Sequence, residues 1–228
     1  MSLQPPKKSD LGKSWMQPRR GRTIKIRPEY HLIVSEGTET EPAYFEAVRD
    51  AVNRQFQGRI QLDVQGKGMN TTSLFQAAQR LVQENPNGYS HVWIVYDTDD
   101  FPPEHVDEVA RLADQCTAAS GGETEYHAVW SNQCFELRFL LHFSYLHSDL
   151  HRREYWSKLS ECLQGMDAGK YRKNRTDLYA LLRPRLETAI ENAKRLDAEN
   201  QGKPPSKAAP GTKVYVLMER LLPYLPTV

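Results

Sequence analysis

Acidic residues stand directly behind two apolar, β-branched runs of the sequence. Glu36 follows residues 30–35 (YHLIVS), and Asp97 and Asp99 follow residues 91–96 (HVWIVY). Ligands of an open parallel sheet bind beyond the carboxyl ends of its strands, and alternate residues of an extended segment face the same way. A hard divalent cation would relieve the repulsion among these carboxylates, so we predict Mg²⁺ bound by Glu36, Asp97 and Asp99. The alternative is that these acids cap helices or satisfy loop backbone groups.

A further acidic residue, Glu136, lies within residues 134–143, where almost every other position is apolar. A buried carboxylate requires a partner, and the sequence offers three: a metal ion, Arg138, or a backbone cap at a helix start. Glu136 is therefore a candidate catalytic residue. Asn132 precedes it by one predicted helical turn and could join the same site. His142 is predicted to be a packing or hydrogen-bonding histidine rather than a base.

Polar and basic residues near these acids are candidates for holding a phosphate group. The predicted substrate-binding residues are Lys67, Asn132, Lys194 and Arg195. Ordinary helix surface is the competing interpretation for Lys194 and Arg195. The turn at residues 66–68 is too short for a Walker loop, so we predict no ATPase motor. Cations interleaved with Tyr155, Trp156 and Tyr171 suit a phosphate backbone and unstacked bases, although solvated helix faces give the same composition.

Strands and helices alternate along the first two thirds of the chain. Strands are predicted at residues 30–35, 60–64, 91–96 and 126–130, and helices follow each of them. The first helix is predicted to begin with a capping box, with Thr38 as N-cap and Glu41 at the third helical position, and residues 134–143 are predicted to be helical. This alternation predicts an α/β fold with a mainly parallel, four-stranded sheet flanked by helices.

The rest of the chain is predicted to be a helical extension. Its helices are expected at residues 153–163, 175–196 and 214–222. The predicted organisation is a basic flexible arm at residues 1–28, an α/β core at 29–148 and a helical extension packed on the core at 149–228.

Composition limits the class of protein and its partners. The 228 residues are 39% hydrophobic and 26% charged, which suits a normal core and excludes a collagen-like or wholly disordered chain. The net charge of +1 hides a split, because residues 1–27 carry +7 and the remainder carries −6. A basic arm favours nucleic-acid phosphate, with a solubilising tail as the alternative. No apolar run approaches the ~20 residues that span a bilayer and no signal-peptide core is present, so we expect a cytoplasmic protein without membrane contact.

Three stretches resemble the RloB family of Toprim-like proteins, which is associated with bacterial restriction and phage defence. They are residues 33–45 (IVSEGTETEPAYF), 93–101 (WIVYDTDDF) and 131–143 (SNQCFELRFLLHF). A strand-terminal glutamate plus a DxD pair resembles the Toprim signature of topoisomerases, primases and OLD-type nucleases. Gln133 and Arg138 depart from the family pattern, where proline and tryptophan are expected.

The resemblance implies phosphoryl transfer with Mg²⁺, or Mn²⁺ in its place. Glu36 would act as general base or metal ligand, and Asp97 and Asp99 would hold the ion. The expected function is a Toprim-type nuclease that hydrolyses DNA or RNA phosphodiester bonds in anti-phage defence or restriction, with an AAA or ABC-type ATPase as partner. The alternative is a non-catalytic module of a defence complex that binds nucleic acid or a nucleotide.

Overall fold

The computed structural model describes residues 28–56, 60–68, 71–85, 88–98 and 102–226. Its strands are β1 (Glu29–Ser35), β2 (Ile60–Gly66), β3 (His91–Asp97), β4 (Glu125–Asn132) and β5 (Gly211–Thr212). Its α-helices are α1 (Thr40–Gln55), α2 (Thr71–Glu84), α3 (Pro103–Ala119), α4 (Glu136–Leu140), α5 (Arg152–Gln164), α6 (Leu178–Leu182), α7 (Leu186–Glu199) and α8 (Val214–Leu221). Apart from Pro28, the predicted basic arm lies outside the described residues.

The sheet has the order β2-β1-β3-β4-β5. The first four strands are parallel, and β5 pairs antiparallel to β4. This confirms the predicted α/β class and its mainly parallel sheet, and β5 adds a fifth strand. At two residues, β5 is too short to give a periodic pattern. Gly211 allows it to form, because a Cβ there would lie 2.6 Å from the Ala208 carbonyl oxygen.

Helices cover both faces of the sheet and give three layers. One face, with Leu32, Val34 and Ile94, packs against α2 and α3. The other face, with Ile33 and Val95, packs against α1 and against the helices that follow β4. Both faces of the central strands are buried, so their sequences are continuously apolar, and each buried Val, Leu or Ile contributes roughly 1.5–3 kcal/mol. The helical extension and the sheet both contribute side chains to the core on this second face.

Three local predictions are wrong in detail. Helix α1 begins at Thr40 with Glu39 as N-cap and no side-chain cap bond, so the predicted capping box of Thr38 and Glu41 does not form. The helix expected over residues 175–196 is broken after α6 by a 3₁₀ turn at Arg183–Arg185, where proline has no N–H to continue an α-helix.

The helix predicted over residues 134–143 is the single short helix α4. After it the backbone forms tighter bonds, such as His142 N–H to the Phe139 carbonyl. The Asn192 amide from α7 donates to the Leu141 carbonyl at 2.8 Å and so satisfies a group that a longer helix would use. Because the segment is apolar on all sides, its hydrophobic pattern does not show where the helix ends.

The described helices of the protein are short or polar compared with membrane-spanning helices. Within the described ranges, none of the helices combines the length and the apolar character needed to cross a bilayer.

Candidate active site

The strand order places the ends of β1 and β3 side by side at a topological switch point. From β1 the chain turns through α1 to β2 on one side, whereas β3 and β4 lie on the other. Ligand sites of open α/β sheets form at such points. Glu36 directly follows β1 and Asp97 ends β3, so both lie at what we call the carboxyl edge. Asp99, the third predicted metal ligand, lies outside the described residues.

Hydrogen bonds hold Glu36 against the end of β3. Its N–H donates to the Val95 carbonyl at 3.0 Å, which extends the pairing of β1 with β3 by one residue. The Asp97 N–H in turn donates to Glu36 Oε2 at 3.3 Å. Mg²⁺ is usually held by one or two carboxylates while water and substrate phosphate supply the other ligands. The oxygen donors of Glu36 and Asp97 fit such an ion.

The turn after β2 closes over the same edge. The Lys67 N–H donates to the Ser35 carbonyl at 3.0 Å, and the Gly68 N–H donates to the Glu36 carbonyl at 2.9 Å. Gly68 adopts a φ of +61°, a conformation that glycine adopts readily. Lys67 Nζ donates to Gln65 Oε1 at 3.2 Å. The structure therefore brings predicted residue Lys67 to the segment that carries Glu36.

Glu136 is buried at the start of α4, with only 3% of its surface exposed. Its partner is Tyr171, whose hydroxyl donates to Glu136 Oε1 at 2.6 Å. Burial raises the pKa of the neighbouring Cys134 thiol, and the negative charges of Glu136 and Asp97 raise it further. One thiol therefore experiences both carboxylates, and Glu136 belongs to the same acidic neighbourhood as the ends of β1 and β3.

Two of the partners proposed for Glu136 from the sequence are not the ones observed. Arg138 donates to the Tyr44 hydroxyl instead, and its guanidinium lies 4.7 Å from the centroid of that ring. A helix cap is also wrong, because α4 has Phe135 at its N-cap position and Glu136 already lies within the helix. The Tyr171 hydroxyl satisfies one carboxylate oxygen, so Glu136 can lie buried without Arg138.

Tyr171 connects the acidic neighbourhood to a basic segment, residues 170–175, that follows α5. Burial raises the pKa of Tyr171, and the charge and hydrogen bond of Glu136 raise it further, so the hydroxyl keeps its proton and remains a donor. The Thr40 hydroxyl donates to the Lys173 carbonyl at 3.2 Å, which ties the same segment to the start of α1. Lys170, Arg172 and Lys173 are exposed. Lys170 and Arg172 therefore flank the residue that contacts Glu136, whereas the Lys173 ammonium lies 5.0 Å from the centroid of the Trp156 ring.

Asn132 is placed at this edge by β4. Ser131 pairs with Asp97 across the sheet, and Asn132 is the next residue and the last of the strand. Asn132 is 7% exposed, and its Oδ1 is buried with no hydrogen-bond partner among the described residues. A buried polar atom of this kind carries a desolvation penalty until a ligand or water satisfies it. The observation suits the predicted role of Asn132 as a substrate contact.

Lys194 and Arg195 lie on α7 and are engaged elsewhere. Lys194 forms an ion pair with Glu219 of α8, and the next residue, Arg220, contacts Glu29 at the start of β1. The structure therefore places Lys194 toward the opposite edge of the sheet from Glu36. The Arg195 guanidinium lies 3.8 Å from the centroid of the Tyr145 ring.

Sequence reasoning gave Tyr171 a different role and so missed its contact. The sequence predicts that Tyr171, like Tyr155, could stack on bases, yet Tyr155 is fully buried in the core and cannot do so. In the sequence, the signal that marks Tyr171 is its place between Lys170 and Arg172 in a polar segment. Its carboxylate partner lies 35 residues away in the chain, which spacing alone does not reveal.

Comparisons with known proteins give one match. The model of a protein family described as RloB-like protein matches residues 31–221. No curated protein and no solved structure matches the chain. The matched range runs from the middle of β1 to the end of α8, so it contains the carboxyl edge, the basic segment and the helical extension.

Proposed function

We propose that this chain, which belongs to the RloB-like protein family, is a Mg²⁺-dependent nuclease of the Toprim type that hydrolyses phosphodiester bonds of nucleic acid. One observation carries the proposal: Glu36 and Asp97 meet at the switch point, joined by the Asp97 N–H bond to Glu36 Oε2. Carboxylates at the ends of adjacent parallel strands are suited to a hard cation, and Mn²⁺ would be accepted by the same oxygens.

Each residue of the site has a separate task in this proposal. Glu36 and Asp97 hold the ion, with Asp99 as the third ligand predicted from the sequence. Bound there, Mg²⁺ would neutralise charge on the scissile phosphate and lower the pKa of a coordinated water. The Asp97 N–H donates to Glu36 Oε2 and so fixes the orientation of the Glu36 carboxylate. Glu136 adds a buried negative charge whose position is fixed by Tyr171.

The basic segment supplies the attraction for a polyanion. Lys170, Arg172 and Lys173 are exposed and are attached to the site through Tyr171 and Thr40. Phosphate contacts of lysine and arginine provide sequence-independent affinity that weakens as salt rises. An acidic site flanked by cations can therefore bind nucleic acid even though the chain beyond residue 27 is net negative. A defence role and an ATPase partner remain predictions that rest on the family resemblance alone.

The test is cleavage by the purified full-length chain. Single- and double-stranded DNA and RNA are incubated with Mg²⁺, with Mn²⁺ and with chelator, and products are resolved on denaturing gels. Asp97→Asn should lower cleavage at least about 100-fold, because removing a metal ligand should exceed the 10–100-fold effect of removing an outer partner. Asp114→Asn is the matched control, since Asp114 is exposed on α3.

Two outcomes would overturn the proposal. Cleavage that survives both Asp97→Asn and Glu36→Gln would show that these carboxylates do not carry the reaction. Salt-dependent binding that is insensitive to chelator, with no product from any substrate, would instead support a binding module without catalysis.

A further inference from the structure

The opposite edge of the sheet carries histidines. At this amino edge β1, β3 and β4 begin with five residues on one face: Glu29, His31, His91, Glu125 and His127. The register aligns His31 with His91 and His91 with Glu125, and alternate residues of a strand face the same way. Within the described ranges, two groups of three His, Cys, Asp or Glu residues have ligand atoms that all lie within 4.8 Å of one another. Both groups lie at this edge.

Three of these side chains have the spacing of a metal's ligand atoms. His91 Nδ1 lies 3.3 Å from His127 Nε2 and 3.3 Å from Glu125 Oε2, and His127 Nε2 lies 3.6 Å from the same oxygen. In a tetrahedral zinc site with bonds of roughly 2.0–2.1 Å, neighbouring ligand atoms lie about 3.3–3.4 Å apart. The three atoms therefore outline one face of such a tetrahedron.

The two imidazoles are held in place and kept neutral. Trp93 stacks on His127 with ring centroids 3.9 Å apart and an interplanar angle of 14°. Burial and the charge of His91 together lower the pKa of His127 to about 4, although the charge of Glu125 acts in the opposite direction. Burial also lowers the pKa of His91. The stacking against Trp93 fixes the orientation of the His127 ring, with Nε2 toward His91 and Glu125.

The other three-residue set, Glu29 with His31 and His91, is already committed to other bonds. His31 Nδ1 accepts the Trp93 indole N–H at 3.1 Å, so the neutral ring keeps its proton on Nε2, which faces Glu29 Oε2 at 3.4 Å. Arg220 donates to both Glu29 oxygens at 3.1 Å. A cation would have to displace these donors, which makes the set containing His127 the better site.

The same network provides an outer partner for His91. Without a metal, Arg220 Nη2 donates to His91 Nε2 at 3.1 Å, which places the proton on Nδ1. A metal at Nδ1 would leave the proton on Nε2, so the Arg220 donor would have to turn away from the ring toward Glu29, and Glu29 Oε2, now 4.0 Å away, would accept the Nε2–H. A carboxylate behind a ligating histidine is the usual second-shell arrangement of zinc sites.

We propose that His91, His127 and Glu125 form a three-ligand Zn²⁺ site at the amino edge, with the fourth position open to water. Two imidazole nitrogens and one carboxylate oxygen suit zinc rather than Mg²⁺, which prefers oxygen donors alone. The Glu125 side chain is 50% exposed, so the ion can enter from solvent. The site joins β3 to β4 and is independent of the proposed nuclease activity.

The test measures metal binding by the full-length chain after chelator treatment and dialysis. Co²⁺ is titrated first, and the visible absorption bands of four-coordinate cobalt are followed. Zn²⁺ then competes for the same site. Wild type should bind one Co²⁺ with a tetrahedral spectrum that Zn²⁺ abolishes. His127→Ala and Glu125→Gln should each weaken binding by more than the roughly 10–100-fold typical of an outer-shell loss.

Three control variants separate this site from its alternatives. His105→Ala changes an exposed histidine on α3 and should leave binding unchanged, and Asp97→Asn should do the same if the carboxyl edge is not the zinc site. His31→Asn keeps an acceptor for Trp93 and should also bind. Wild-type affinity in both Glu125→Gln and His127→Ala, or a loss confined to His31→Asn, would overturn the assignment. Glu125→Gln is nearly isosteric, so it remains informative if His127→Ala fails to fold.

Discussion

At the carboxyl edge of the sheet the functional groups end the strands or follow them, whereas at the amino edge they lie at the beginning of the strands. Glu36 and Glu136 belong to segments after β1 and β4, and Tyr171 reaches Glu136 from beyond α5. His91, Glu125 and His127 instead lie on adjacent parallel strands in fixed register. The first edge offers oxygen ligands on segments that can adapt to a substrate, and the second offers nitrogen ligands on a rigid support.

Under the two proposals, this difference matches each edge to a different cation. Oxygen ligands around a switch point suit Mg²⁺, which keeps waters and shares substrate phosphate. Imidazole nitrogens held in place beside Trp93 suit zinc, which binds few ligands in a tetrahedral arrangement. Under the two proposals, one sheet binds an oxygen-ligated cation and a nitrogen-ligated cation at opposite ends of the same strands.

The largest expected effect is a double dissociation between the two edges. Asp97→Asn should lose cleavage by at least about 100-fold and keep Zn²⁺ affinity, whereas His127→Ala should lose Zn²⁺ affinity by more than about 10–100-fold and keep cleavage. Gel assays of cleavage and Co²⁺ titration of the same preparations provide the two measurements. A variant that lost both properties while remaining folded by circular dichroism would show that the edges act as one site.

Tyr171→Phe should be the most damaging single change to the stability of the carboxyl edge. It removes the donor to buried Glu136 and leaves the ring in place, so the unfolding free energy should fall by about 1–3 kcal/mol. Urea denaturation of the variant and wild type measures this difference. Cleavage should fall as well, because the basic segment loses its bond to Glu136 and keeps only the one from Thr40.

Tyr215→Phe is the matched control for this change. The Tyr215 hydroxyl also donates to a carboxylate at 2.6 Å, that of Asp197, but Asp197 is part-exposed and keeps an ion pair with Lys213 at 2.6 Å. Its loss should therefore be smaller. Equal losses for the two variants would show that burial of Glu136 adds nothing to the strength of its hydrogen bond.

The two edges also differ in how far the sequence predicts them. Glu36 and Asp97 were found by a general rule, since ligands gather beyond the carboxyl ends of parallel strands. The histidine site was missed although the tripeptide Glu-Tyr-His begins both β1 and β4. Its geometry depends on the register of His91 with Glu125, a pairing between distant segments that no local pattern encodes. The contact of Tyr171 with Glu136 was missed for the same reason.

Acid should destabilise the protein through buried His142 as well as through the amino edge. Burial and the charge of Arg138 together lower the pKa of His142 to about 3, so the folded state binds fewer protons than the unfolded state below about pH 6.5. The stability it contributes is present above pH 6.5 and is lost as the pH falls toward 3. The slope should be on the order of 1 kcal/mol per pH unit.

Urea unfolding of wild type at pH 7, 6 and 5 measures this slope. His142→Gln should flatten it because the titrating group is removed, and His105→Gln should not, because His105 is exposed on α3. If the histidines of the amino edge alone carried the acid sensitivity, His142→Gln would leave the slope unchanged.

The smallest expected effect concerns how salt weakens nucleic-acid binding at the two edges. Lys170 is exposed beside Tyr171, and each phosphate contact contributes about 0.9 to the slope of log affinity against log salt for duplex DNA. Lys170→Ala should therefore reduce that slope by about one.

Arg54→Ala is the control, because Arg54 is 82% exposed at the end of α1, and α1 runs back from the carboxyl edge toward the start of β2. Fluorescence anisotropy with a labelled duplex in chelator, across a series of salt concentrations, measures binding without cleavage. If Arg54→Ala reduced the slope as much as Lys170→Ala, nucleic acid would not be bound preferentially at the carboxyl edge.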